Sequence, residues 1–135
     1  MSDIKQRLRS YWYCTQRLDK LYDKYHAIRA RAEKMTPAYS LAPGGGSGDM
    51  ADTVAMVVQL EHDYHDELQQ LRDTMKEVEA IISSLDDFRL RVILEDRYIY
   101  FEKWEQIAVN RHYSYQHVIK LHGKALAILS KKDAL

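Results

Sequence analysis

The chain has one cysteine, Cys14, in 135 residues, so it cannot close an internal disulfide. A lone thiol fits a reducing, cytoplasmic compartment. Only two prolines occur, Pro37 and Pro43, and they sit close together. The long stretches on either side lack the residue that most strongly breaks a helix. No apolar run approaches the ~18 residues of a membrane span, so no membrane partner is expected. The opening MSDIKQRLRS is charged and holds no apolar signal core, so no secretion signal is expected there. Net charge is absent too, because 20 Lys and Arg balance 20 Asp and Glu. Apolar residues make up 46% and charged residues 30%, the balance of a folded chain and not of a disordered one.

The zero total hides a pattern. Residues 1–35 carry nine Lys/Arg against four Asp/Glu, giving +5. Residues 49–87 carry two against eleven, giving −9. Residues 88–135 carry nine against five, giving +4. Between Glu105 and Asp133 there is no acid, while Arg111, Lys120, Lys124, Lys131 and Lys132 fall there or nearby. A polyanion meets local charge, not the total.

Hydrophobic spacing predicts an all-α protein. Ile4, Leu8, Tyr11, Leu18, Leu21, Tyr25, Ile28, Ala32 and Met35 step mostly by three or four, which predicts one long amphipathic helix. The stretch TPAYSLAPGGGSGD, residues 36–49, predicts a flexible break. Its glycines lack the Lys-Ser/Thr pair and the preceding strand of a phosphate-binding loop. A second long helix is predicted from about Met50 to Leu85. Its stripe is Val54, Val57, Tyr64, Leu68, Leu71, Met75, Val78, Ile82 and Leu85, with a gap at Glu61. Two helices of near-equal length, one loop and opposite charge predict a long antiparallel hairpin over residues 1–85. Its narrow apolar stripe predicts a homodimer through these N-terminal helices.

Residues 86–135 predict a small helix-turn-helix domain. Ser84, Asp86 and Asp87 are N-cap formers. Leu90, Ile93, Leu94 and Ile99, with Tyr98, form the face of a support helix. FEKWEQIAV predicts a short helix with Phe101, Trp104, Ile107 and Ala108 facing inward. NRHYS predicts the turn, and Ser114 caps a last helix from Tyr115 to about Ser130. Val118, Leu121, Ala125, Leu126 and Leu129 face the core. Tyr115, Gln116, His117, Lys120 and Lys124 face out. Gln and Lys can hydrogen-bond base edges, and Lys and Arg neutralise phosphates.

These residues carry a resemblance. Arg97-Tyr98-Ile99, Trp104-Glu105-Gln106-Ile107-Ala108, Tyr113-Ser114-Tyr115 and Leu121-His122-Gly123-Lys124-Ala125-Leu126 are similar to region four of bacterial sigma factors. Together with MADTVAMVVQLE after the Gly-rich stretch, they more closely resemble a family of small phage and prophage proteins. Those join a coiled-coil N-terminal half to a sigma-region-four-like C-terminus. The resemblance covers roughly residues 50–130. It implies a transcription regulator of phage or prophage genes in a bacterial host, bound to double-stranded DNA, with host RNA polymerase as a possible partner. By position it implies base reading by Tyr115, Gln116, His117 and Lys120, and phosphate contact by Arg111, Ser114 and Lys124. Two positions depart from the family pattern. Arg111 stands where relatives have an apolar residue, and His112 stands where they have Gly. A Gly there typically serves φ > 0, and an outward Arg111 would reach toward phosphate.

Other readings are open. A small terminase-like DNA-packaging protein also joins a helix-turn-helix to an oligomerising coiled coil. A polymerase-binding module without its own DNA specificity is a third. The cluster His62, Asp63, His65 and Asp66 has spacing that could share a metal, but a solvated helix face is the commoner outcome. Cys14 has no base nearby in sequence and is expected to be a buried or spectator thiol. No catalytic constellation, metal site or cofactor is expected, and so no enzyme.

Overall fold

The computed structural model describes the backbone of residues 2–41 and 47–134, with side chains for residues 3–34 and 48–133. It is all-α. Among the described residues there are five helices and no strand: α1 (Ser2–Leu41), α2 (Ser47–Ser83), α3 (Phe88–Tyr98), α4 (Trp104–Arg111) and α5 (Tyr115–Ala134).

The break expected at 36–49 is shorter than the composition suggested. Helix α1 runs past Pro37 to Leu41, and α2 starts at Ser47. The proline removes one donor, yet its fixed φ is helical, and Ala38 and Leu41 are strong helix formers. Pro43 and Gly44, Gly45 and Gly46 lie outside the described residues.

The chain divides into two compact units, residues 15–70 and residues 1–14 with 71–135. In the unit of residues 15–70, the α1 and α2 segments run antiparallel. Low numbers pair with high ones: Arg17 Nε lies 3.6 Å from Glu67, and the Tyr25 hydroxyl donates to Glu61 at 2.9 Å. The seam differs from the expected stripe in two places. Leu60 is buried and fills the gap at Glu61, while Val54 is left 45% exposed and Thr53 is buried instead. The spacing Thr53, Val57, Leu60, Tyr64 keeps the 4-3-4 alternation one position earlier than the expected stripe at both sites.

The second unit holds the main core. Leu90, Ile93 and Leu94 of α3 have no exposed surface. They cluster with Ile107 and Ala108 of α4 and with Val118, Leu121, Ala125, Leu126 and Leu129 of α5. Ile4 and Leu8 of α1 and Val78 and Ile82 of α2 join the same cluster. Each of the Leu, Ile and Val side chains contributes about 1.5–3 kcal/mol by leaving water. Truncating Leu94 to Ala would cost about 2–5 kcal/mol, because so tight a site collapses poorly. Within this unit α1 and α2 again run antiparallel. Arg7 pairs with Glu77 at 3.7 Å, and the buried Cys14 thiol lies 3.5 Å from the Thr74 hydroxyl.

Helix α2 does not continue into α3. It ends at Ser83, and Asp87 caps α3 by accepting from the Arg89 amide at 2.9 Å. Helix α4 begins later than its amphipathic pattern suggests. Phe101 has φ of 58° and stands before the helix, which starts at Trp104. The reason lies in how α3 ends. The Tyr100 amide bonds back to the Glu95 carbonyl and the Glu102 amide to the Asp96 carbonyl, and this reversal takes up the chain through residue 102.

Candidate nucleic-acid interface

Helix α4, a three-residue turn and helix α5 carry the candidate interface. The turn closes by a Schellman pattern. His112 is left-handed at φ 62° and ψ 38°, its amide bonds to Val109, and the Tyr113 amide bonds to the Ala108 carbonyl at 3.0 Å. His112 thus takes a positive φ, a conformation for which Gly is the least costly residue. Ser114 then caps α5, its hydroxyl accepting from the His117 amide at 3.1 Å. That fixes where the helix begins and so which side chains face out.

The inward positions Val118, Leu121, Ala125, Leu126 and Leu129 are all buried. On the opposite side Tyr115, Gln116, Lys120 and Lys124 are exposed, Tyr115 by 46%. The candidate site residues therefore do not behave alike. His117 is half-buried, and its ring packs edge-on against Tyr113 at 4.9 Å. Lys124 lies close enough to Asp87 to help lower that carboxyl, whose main cause is its hydrogen bond from Arg89. Arg111 is exposed along its side chain, but its guanidinium is already engaged within the fold. Its Nε and Nη2 clasp the two carboxylate oxygens of Asp96 at 2.7 and 2.8 Å. Asp96 is almost wholly buried, so the pair ties the end of α4 to α3. The same bond raises the Arg111 pKa.

Two further residues belong to this face. Ile119 is exposed, and Gly123 is exposed with open space where a side chain would stand. The spacing Tyr115, Ile119, Gly123 is a single helix stripe, a signal available in the sequence. Beneath the face sits His122, which is buried. Its Nε2 lies 2.7 Å from the Tyr98 hydroxyl, and its ring meets Trp104 edge-on at 4.6 Å. Burial, helped by Lys5, Arg97 and Arg9, lowers its pKa to about 4, so it is neutral near pH 7.

Among the described residues no cluster of His, Cys, Asp and Glu could hold a metal ion, the His62–Asp66 run included. No described helix is long and apolar enough to cross a membrane. Comparison with models of known protein families, with curated proteins and with solved structures gives no match.

Proposed function

We propose that the chain is a sequence-specific duplex-DNA-binding transcription regulator of phage or prophage genes, with α5 as the reading helix. One observation carries the reading. A capped helix presents Tyr115, Gln116 and Lys120 on its first two turns, within a run that holds no acid from Gln106 to Lys132. A helix of this kind can enter a major groove with its first residues at base edges. Ser114 and Lys124 serve phosphates. Arg111, held by Asp96, stiffens the turn. His117 lies at the side of the face, against Tyr113. The sigma-region-four resemblance of residues 97–126 supports the same assignment.

The hairpin of residues 15–70 serves self-association in this reading. Val54, Met56 and Val58 are exposed there. Dimer formation is checked by sedimentation, and a monomer at tens of micromolar would count against it. DNA binding is tested by salt titration of duplex affinity. Neutralising about two phosphates, one by Lys124 of each protomer in a dimer, predicts a loss of roughly tenfold between 50 and 200 mM salt. A flat response, or no binding, sinks the proposal.

A further inference from the structure

A groove of about 290 Å³ lies in the unit of residues 1–14 and 71–135, and none of its lining residues belongs to α5. Its walls are Arg9, Trp12, Tyr13, Arg97, Tyr98 and Phe101. The composition is unusual for a surface: four aromatic rings, two guanidinium groups and no acid. Such a volume is at the lower limit of small-molecule sites. Trp12 and Tyr13 are 42% and 48% exposed, with ring centres 5.2 Å apart and nearly perpendicular. A residue as bulky as Phe at φ of 58° is an outlier, and Phe101 adopts that conformation while lining this groove. Among the described residues no carboxylate lies within ion-pair distance of Arg9 or Arg97. Arg97 spends one donor on the Glu102 carbonyl at 3.0 Å and lies 4.5 Å above the Trp104 ring. Burial raises the pKa of Tyr98, and Arg9 and Arg97, which line the same groove, act against that rise.

We infer that this groove binds a nucleotide, with the base stacked on the exposed aromatic rings and the phosphate held by Arg9 and Arg97. Every base offers a flat face to an aromatic ring, and guanidinium groups recognise phosphate. A neutral aromatic ligand would leave the two cations unused, and a bare anion would leave the rings unused. The nucleotide is either free or an unpaired residue of a single strand. The inference does not rest on duplex reading by α5.

The experiment is calorimetric titration of the full chain with deoxyadenosine 5′-monophosphate, inorganic phosphate and a short single-stranded oligonucleotide. The monophosphate or the oligonucleotide should bind saturably, and inorganic phosphate should compete poorly. Tighter binding of the oligonucleotide assigns the site to a strand, and equal binding assigns it to the free nucleotide. Arg9→Gln and Trp12→Leu should each weaken binding roughly tenfold, the loss of one charge-assisted bond or one stacked ring. Both side chains are exposed, and the thermal midpoint checks that the fold is kept. Lys120→Ala should leave this binding unchanged. The inference is overturned if neither nucleotide ligand binds, if both variants bind as the parent does, if phosphate competes as well as the nucleotide, or if an acidic tyrosine peptide binds more tightly.

Discussion

Arg111 and Asp96 form a two-bond ion pair, 2.7 and 2.8 Å long, between the last residue of α4 and a buried carboxylate of α3. The fork of the guanidinium matches the two carboxylate oxygens, so the end of α4 is held in position and in angle. The turn into α5 follows at once, so this pair sets the base from which α5 departs.

Removing the cation should therefore cost stability before it costs anything else. Arg111→Ala leaves Asp96 buried and unpaired, and we expect a loss of about 3 kcal/mol in urea unfolding. Lys cannot supply two parallel bonds, so Arg111→Lys should recover only part. The double variant Arg111→Ala with Asp96→Asn should lose less than the sum of the single changes. Full additivity would mean that the two side chains do not act as a pair.

The turn makes a second prediction. At φ of 62°, His112 occupies a region that disfavours L side chains. His112→Gly should stabilise by up to about 1 kcal/mol, and His112→Val should destabilise by about 1–2 kcal/mol. Ser114→Ala removes the α5 cap and should cost about 1 kcal/mol. Thermal melts report all three, and a stabilising His112→Val would contradict the left-handed turn.

Acid should weaken the fold through His122. Its pKa falls from 6.5 in the unfolded chain to about 4 in the folded one. Between those values the unfolded state binds the extra proton. The contribution is thus complete above pH 6.5, declines as the pH falls, and is exhausted near pH 4. The decline is worth about 3 kcal/mol. His122→Phe should remove this part of the pH dependence, measured as the thermal midpoint from pH 7 to pH 4. An unchanged slope would show that other groups set the acid sensitivity.

Gly123 offers a test in which fold and function separate. A mid-helix glycine costs about 1 kcal/mol against Ala, and nothing lies where its side chain would go. Gly123→Ala should therefore stabilise the protein. If α5 enters a groove, the same methyl should weaken duplex binding. Improved stability with unaltered duplex affinity would place the DNA surface elsewhere.

If α5 reads duplex DNA as proposed, single changes on it divide by role. Gln116→Ala and Lys120→Ala should narrow the preference between sites by about 1–3 kcal/mol, and Lys124→Ala should weaken binding to all sequences alike. Competition between specific and random duplexes separates the two. Intact specificity in both Gln116→Ala and Lys120→Ala would displace the reading face.

The sequence by itself determined what depends on near neighbours. Periodicity identified the helices, though not the end of α1 or the start of α4, Ser114 announced the start of α5, and the acid-free run is visible without any coordinates. The inward face of α5 followed from the same spacing. Tertiary structure decided what depends on residues far apart. Arg111 reads as a free cation until Asp96, fifteen residues earlier, is brought against it. His122 reads as a polar helix residue until Tyr98 and Trp104 enclose it. Ile4 and Leu8 read as part of a hairpin, yet their burial is completed in the cluster of α3, α4 and α5. Phe101 fits an amphipathic pattern, but the carbonyls at the end of α3 recruit the amides of Tyr100 and Glu102 and delay the next helix. Local spacing fixes which face is apolar, whereas the partner that covers each face is a property of the folded chain.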